Sequence, residues 1–167
     1  MIHVYYGSGV GKTTRAIGLA IRAAGEGSLV DFVQFLKSGN SSEVAIFNNI
    51  ENIRYWCSGK HPFIMPQGPQ PIHHRHARKA YKRALSAIKN GSRLLVCDEI
   101  LDTIIFNLLK KEQLIDLAKR CKDNVELVMT GRQVPSELLE MADYATELVE
   151  IKHPYYKGVH ARKGIEY

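Results

Sequence analysis

The sequence contains few cysteines and no long apolar run. Its three cysteines, Cys57, Cys97 and Cys121, are odd in number and form no C-x-x-C pair, which argues against a disulfide framework and a zinc site. No apolar stretch approaches the roughly 20 residues that a membrane-spanning helix needs. The N-terminus also lacks the basic segment that opens a secretory signal. These absences predict a cytoplasmic protein with reduced thiols and no membrane partner.

Catalytic arrangements for covalent chemistry are absent as well, since no Ser-His-Asp or Cys-His pattern is recognisable. The formal net charge of +6 suits nucleic acid or any polyphosphate. No aromatic-interleaved RNA motif or recognition helix accompanies that charge, so nucleic acid is not an expected partner. The basic stretches at 73–83 and 155–164 predict solvated surface. On the first of these, His73, His74 and His76 lack an acidic or cysteine partner and are predicted to be pH-sensitive surface residues.

What the sequence does contain is an alternation of strand-like and helix-like hydrophobic periods. Alternation of this kind predicts an α/β domain with a mostly parallel sheet and helices on both faces. Nothing marks a second domain, so residues 1–167 are predicted to form one. The polar segment 37–47 and the Pro/Gly-rich segment 58–71 are predicted to be loops. Strands are expected near 2–6, 29–35, 52–57, 93–99, 125–130 and 145–151, and helices near 13–27, 73–89, 99–109 and 111–122 and from Pro135.

A glycine-rich segment follows the first strand and opens the first helix, which is the context that a phosphate-binding loop requires. Its glycines allow backbone amides to approach phosphate oxygens, and the helix N-terminus adds unpaired N–H groups and a partial positive charge. Lys12 supplies a mobile cation, and the Thr13 hydroxyl suits a magnesium ligand. The usual G-x-x-x-x-G-K-[ST] signature would have a glycine at position 6, where this sequence has Tyr6.

Two acidic residues, Asp98 and Glu99, follow the buried strand-like run "RLLVC". In open α/β sheets, ligands bind at the carboxyl ends of the strands. A carboxylate at this edge can bind Mg²⁺ directly or through water, beside nucleotide phosphates. Asp98 is equally suited to partner Thr13 or a water molecule.

Taken in order, these residues resemble the P-loop ATP:corrinoid adenosyltransferases of the CobA/CobO/BtuR type. That family's own phosphate loop, T-G-N-G-K-G-K-T-T, lacks the first glycine, so Tyr6 is ordinary for it. The resemblance implies a P-loop NTPase-like, RecA-like fold. Further similarities are A-x-R-A-x-G-x-G at 20–27, V-Q-F-x-K at 33–37, D-E at 98–99, T-G-R at 130–132, K-H at 152–153, G-V-x-A at 158–161 and G-I-[DE]-Y at 164–167.

The resemblance implies transfer of the 5′-deoxyadenosyl group of ATP to the Co(I) of a corrinoid, with release of triphosphate. ATP is implied to lie reversed in the loop, so that its 5′ carbon faces the corrinoid. Catalytic roles are expected for Lys12, Thr13 and Glu99, and Mg²⁺ is expected on Thr13, Glu99 and Asp98. The implied partners are a corrinoid, an electron donor for Co(II) and a second copy of the chain. The implied ATP contacts are Gly7, Ser8, Gly9, Val10, Gly11, Lys12, Thr13, Thr14, Arg22 and Arg132, and the implied corrinoid contacts are Gln34, Lys37 and Phe63.

The sequence departs from the family pattern at several points. Val10 stands where lysine is common, which predicts weaker or altered ATP binding, and Ser8 replaces an asparagine. The family's aromatic lid, G-F-x-W, is not reproduced in residues 59–63, where Phe63 is the nearby aromatic candidate. The N-terminal arm found in many members is expected to be missing, because the chain starts at the first strand.

Two alternatives remain open from the sequence. A relative that binds corrinoid or nucleotide without catalysis would accommodate Val10 and the altered lid. A P-loop ATPase of the MinD/ParA or RecA kind is the other. The first kind carries a signature lysine where this chain has Gly7, and the second needs a base for an attacking water.

Overall fold

The centre of the molecule is a six-stranded sheet in which every strand pairs in parallel with its neighbours. The computed structural model describes residues 1–167. The strand order is β3-β2-β4-β5-β1-β6, which confirms the predicted α/β architecture and is consistent with a P-loop NTPase-like fold. The strands are β1 (Ile2–Tyr6), β2 (Val30–Gln34), β3 (Ile53–Cys57), β4 (Leu94–Asp98), β5 (Glu126–Gly131) and β6 (Tyr144–Glu147).

Helices cover both faces of this sheet, as the alternating pattern predicts. Neighbouring residues of a strand point to opposite faces. Leu95 and Cys97 therefore join a core cluster of 22 buried residues on one face, whereas Leu94 and Val96 join a cluster of 11 on the other. None of the helices combines the length and the apolar character that a membrane crossing requires. The helices are α1 (Lys12–Gly25), α2 (Glu43–Phe47), α3 (Pro71–Lys89), α4 (Asp102–Ile105), α5 (Lys111–Cys121) and α6 (Ser136–Met141), with a 3-10 helix at Pro154–Lys157.

Two segments differ from their predicted structure. The predicted loop 37–47 contains α2, because Phe47 is buried against Phe32, with 4.8 Å between the ring centroids. The predicted helix 99–109 is reduced to the short α4. Its chain turns at Asn107, which has a left-handed φ of 52°, and so buries Leu108 and Leu109. Both misassignments arise because short apolar runs are compatible with more than one backbone conformation.

The predicted last strand is shorter than expected, and its continuation supports the phosphate loop. β6 ends at Glu147, and the next residues run alongside the glycine-rich segment. The Leu148 N–H donates to the carbonyl of Tyr6 (2.8 Å), and the carbonyl of Leu148 accepts from the Gly9 N–H (2.7 Å). The segment after β6 thus forms one wall of the loop.

Candidate functional site

The phosphate loop, defined here as residues 7–14, joins β1 to α1 at the carboxyl edge of the sheet. Two of its glycines have left-handed backbones, with φ of 111° at Gly7 and 102° at Gly11. A Cβ on Gly7 would overlap the carbonyl oxygen of Leu148, and one on Gly9 would press on the same peptide. Glycine is therefore required here both by backbone conformation and by the close approach of the segment after β6.

Lys12 is folded over this loop. Its Nζ donates to the carbonyls of Gly7 (2.7 Å) and Gly9 (2.6 Å). Burial lowers the pKa of Lys12, and Arg132 acts in the same direction, while Asp102 and Glu99 oppose the shift. The ammonium is thus held at the mouth of the loop by two neutral acceptors, which an anionic oxygen can replace with a stronger, charge-assisted bond.

Asp98 is the centre of the hydrogen-bond network behind the loop. Its side chain is completely buried, and its Oδ1 accepts from the hydroxyls of Thr13 (2.9 Å) and Thr130 (2.7 Å). Its Oδ2 accepts from Gln34 Nε2 (3.2 Å) and Lys37 Nζ (2.9 Å). Four donors around a buried carboxylate fix the first turn of α1, the ends of β2 and β5 and the residue Lys37 after β2 in one arrangement.

Glu99, the second acid, is held in an uncommon backbone conformation. Its φ is 61°, and its N–H donates to the Thr130 hydroxyl (2.8 Å). Left-handed backbone at a residue other than glycine is strained, and such strain concentrates at functional sites. Burial raises the pKa of Glu99 to about 7, an effect opposed by Lys37 and reinforced by Asp98 and Asp102. The carboxyl therefore changes charge near neutral pH.

Lys37 lies between the two acids and the loop. Its Nζ is 2.9 Å from Asp98 Oδ2, 3.1 Å from the Thr13 hydroxyl and 3.7 Å from Glu99 Oε1. Burial alone would lower the pKa of Lys37, but Asp98 and Glu99 outweigh it and raise that pKa. The predicted metal-binding residues are consequently gathered around an ammonium group.

Thr13, Asp98 and Glu99 form a group of oxygen-bearing side chains, called the Mg²⁺ corner, whose chemistry fits Mg²⁺. The hydroxyl of Thr13 and the carboxylates of Asp98 and Glu99 are the hard oxygen donors that this ion prefers. The protein nowhere gathers three or more His, Cys, Asp or Glu side chains that could hold a metal by themselves. Mg²⁺ typically takes one or two carboxylates and completes its shell with substrate phosphates and water. Mg²⁺ bound here would share its coordination with a nucleotide.

Two cavities meet at this edge of the sheet. The smaller, of about 420 Å³, lies over the phosphate loop and is bounded on its far side by residues 150–156. The larger, of about 840 Å³, is a cleft between the ends of β2, β4 and β5 and the loop that follows β3. Glu99, Asp102 and Arg132 lie on the walls of both cavities. A ligand bound over the loop would therefore adjoin a second ligand in the cleft.

Several predicted ATP contacts lie on the smaller cavity. Ser8 lines it and its hydroxyl accepts from the Glu150 N–H (3.2 Å). Val10 lines it as well and has 69% of its surface exposed. Thr14 is exposed in the first turn of α1. Arg132 is exposed beside both cavities, where its guanidinium can reach an anion.

Arg22 is placed differently from the prediction. It is exposed in the last turn of α1, ten residues beyond Lys12. At 1.5 Å per residue, this separation is about 15 Å along the helix axis. A direct contact between Arg22 and a nucleotide on the loop of the same chain does not fit this geometry.

The three predicted corrinoid contacts occupy different depths. Phe63 lines the large cleft and is 92% exposed, and Lys37 lines the cleft beside the acids. Gln34 is completely buried behind them and bonds Asp98 and the Tyr55 hydroxyl (2.7 Å). Gln34 thus orients Asp98 and does not form part of the cleft wall.

The prediction that the histidines of α3 are surface residues is wrong for two of them. His73 and His76 are buried, and both pack against His61. His61 belongs to the loop 58–70 between β3 and α3, which borders the larger cavity and is called the cleft loop. His73 Nε2 donates to the carbonyl of Pro62 (3.0 Å), and the Nδ1 atoms of His61 and His76 are 3.2 Å apart. The amphipathic pattern of α3 indicated a basic face but gave no information on the loop that covers its first turn.

Two site residues were missed from the sequence. Asp102 is buried, and its Oδ1 accepts from the Arg132 N–H (2.6 Å), which fixes the backbone that carries this arginine. Burial raises the pKa of Asp102, while the Arg132 N–H opposes the shift. Thr130 links the two acids, because its hydroxyl donates to Asp98 and accepts from the Glu99 N–H. The position of Thr130 at a strand end was a usable signal, but an isolated Asp102 after a D-E pair was not.

Comparison with known proteins agrees with this geometry. A family model described as ATP:corrinoid adenosyltransferase BtuR/CobO/CobP matches residues 1–167. The chain is 29% identical to corrinoid adenosyltransferase CobA of Salmonella typhimurium, over 100% of this chain and 85% of that protein. It is 27% identical to the corrinoid adenosyltransferase of Escherichia coli K12, with the same coverage. It is 29% identical to that of Pseudomonas aeruginosa, over 98% of this chain and 82% of the relative.

Proposed function

The chain belongs to the family of ATP:corrinoid adenosyltransferases, and we propose that its two adjoining cavities hold the two substrates of that reaction. ATP would lie over the phosphate loop, and the corrinoid would occupy the larger cleft. The observation that carries this assignment is the shared wall formed by Glu99, Asp102 and Arg132. The two cavities adjoin at these three residues, so reactants bound in them would lie next to each other, which is the positioning that a two-substrate transfer needs.

In the proposed reaction, the Co(I) of the corrinoid attacks the 5′ carbon of ATP. The Co–C bond forms with the electron pair of Co(I), and the C5′–O bond breaks with its electrons going to triphosphate. The nucleophile belongs to the substrate, so the protein need supply no covalent or acid–base residue. The reversed orientation of ATP implied by the family resemblance would direct the 5′ carbon towards the cleft.

Charge stabilisation on the leaving triphosphate is the main task we assign to the protein. The backbone amides of the phosphate loop, Lys12 and Arg132 would bind its oxygens, since preorganised donors aimed at developing charge lower the barrier most effectively. Thr13 and Glu99, with Asp98 behind them, would hold Mg²⁺. When bound, Mg²⁺ would neutralise part of the charge on the phosphates. We propose that Lys12, Thr13 and Glu99 are the catalytic residues.

The larger cleft suits a bulky, partly apolar ligand. Its volume of about 840 Å³ falls within the usual range for small-molecule sites. Its walls include Leu36, Phe63, Ile64, Ile105 and Phe106. We propose that Phe63 covers the exposed face of the corrinoid and takes the part of the missing aromatic lid.

Further features of the proposal concern the whole molecule. We propose that residues 1–167 act as one domain, that the protein works in the cytoplasm, and that it receives a reduced corrinoid through an electron donor. The unpaired state of Cys57, Cys97 and Cys121 supports a reducing compartment. The homodimer rests on the family resemblance alone. We propose cob(I)alamin or cob(I)yrinic acid a,c-diamide as the corrinoid substrate.

An assay with chemically reduced cobalamin, ATP and Mg²⁺ tests the proposal. We expect a light-sensitive adenosylated product, and we expect its formation to be lost in Lys12→Met. As a control, Lys89→Met changes an exposed lysine in the last turn of α3, outside both cavities, and should retain activity. Supplying Co(I) directly separates transfer from any need for a reductase. Orthophosphate without an adenosylated product would instead identify an ATPase.

A further inference from the structure

The position of Lys37 carries an inference that rests on the proposed function and deepens it. We propose that Lys37 is a built-in counter-cation, which occupies the Mg²⁺ corner before nucleotide binds and leaves it when Mg²⁺ and ATP arrive. Its Nζ lies within 2.9–3.7 Å of one oxygen from each of Thr13, Asp98 and Glu99. These three side chains are the ones whose oxygens fit Mg²⁺.

The charges of the corner explain why a cation is needed there. Asp98 is completely buried and the neighbouring Glu99 is only 31% exposed, and both carboxylates lie beside the same ammonium group. A buried carboxylate without a partner is strongly destabilising. The ammonium of Lys37 supplies the compensation, and it also holds the Thr13 hydroxyl against the acids.

The same charges explain why Lys37 must move. Mg²⁺ needs oxygen ligands at about 2.0–2.1 Å, which leaves no room for an ammonium group among the same three atoms. The two cations would also repel each other at this separation. Exchange of one cation for another keeps a positive charge beside the two acids at every stage.

The structure gives Lys37 a route out of the corner. Its backbone is fixed, because the preceding Leu36 is left-handed with a φ of 43° and the following Ser38 exchanges hydrogen bonds with His61. Its side chain is 23% exposed and lines the large cleft. Rotation of the side chain would carry the ammonium towards that cleft, on the side where the nucleotide and corrinoid are proposed to meet.

The proposal predicts how strongly ATP binding depends on the metal. Without Mg²⁺, Lys37 partly replaces it, so wild-type protein should still bind ATP in EDTA. In Lys37→Met, which keeps the length of the side chain without its charge, ATP in EDTA faces two uncompensated acids. The ratio of the Kd in EDTA to the Kd in Mg²⁺ should therefore rise by about tenfold or more relative to wild type, a typical size for energetic coupling between ligands.

Titration calorimetry with ATP, without corrinoid, measures this ratio. Lys60→Met is the matched control, because Lys60 is exposed on the cleft loop and outside the corner, and its ratio should equal that of wild type. Lys37→Arg keeps the charge and should also stay near wild type. Lys37→Gln serves if thermal melting shows that Lys37→Met does not fold.

A ratio in Lys37→Met within about twofold of the wild-type value would overturn the proposal, because a lysine that stays beside the metal affects both conditions equally. The experiment is independent of adenosyl transfer. A wild-type protein that binds ATP but forms no adenosylated product would refute the proposed function and leave the measured ratios interpretable.

Discussion

Replacing Asp98 by asparagine is expected to destabilise the fold strongly, although the two side chains have the same shape. The amide oxygen can still accept from Thr13 and Thr130, but the amide NH₂ would face Gln34 Nε2 and Lys37 Nζ, which are donors. Hydrogen bonds to a charged group contribute about 1.5–3 kcal/mol each. Because Lys37 can turn partly towards solvent, we expect a loss near the lower end of the sum, about 3 kcal/mol.

Urea denaturation of wild type and Asp98→Asn measures this loss, and thermal melting should show a Tm lower by roughly 6–12 °C for a chain of this size. Asp116→Asn is the matched control. It makes the same chemical change at an exposed i,i+4 pair with Arg120 and should cost less than about 1 kcal/mol. Equal losses in the two variants would show that the Asp98 network does not hold the site together.

Three further predictions concern the loop and its surroundings. Gly7→Ala should abolish ATP binding by calorimetry, because its methyl group would collide with the Leu148 carbonyl, whereas Gly25→Ala, which meets nothing within 4 Å, should bind normally. Val10→Lys should tighten ATP binding by about threefold to tenfold by adding a cation beside the phosphates, and an unchanged Kd would contradict that reading of position 10. Burial and two neighbouring histidines lower the pKa of His61 from 6.5 to about 4, so the unfolded chain binds protons more readily between these values. The free energy of unfolding should therefore fall as pH is lowered from 6.5 to 4, with a smaller slope in His61→Asn; equal slopes would refute this.

The residues that could be predicted from the sequence are those close together along the chain. The phosphate loop is recognisable because glycines, Lys12 and Thr13 lie within eight residues between a strand and a helix. The Asp98–Glu99 pair is recognisable because it ends an apolar strand. The parallel sheet follows from alternating periods, and parallel strands bring their carboxyl ends to one edge.

What could not be predicted depends on contacts between distant segments. The burial of His73 and His76 results from the cleft loop, whose path has no periodic signal. The distance of Arg22 from the loop follows from helix geometry once the bounds of α1 are known. The position of Lys37 beside the oxygens of Thr13, Asp98 and Glu99 depends on how β2 and β4 pair, which no local motif indicates.

The identity of the phosphate product tests the central claim most directly. ³¹P NMR of a reaction containing ATP, Mg²⁺ and pre-reduced corrinoid should show triphosphate formed in proportion to the adenosylated corrinoid. That result is expected if Co(I), bound in the larger cavity, attacks the 5′ carbon of ATP where the two cavities adjoin. Formation of ADP and orthophosphate, with the corrinoid unchanged, would contradict the account.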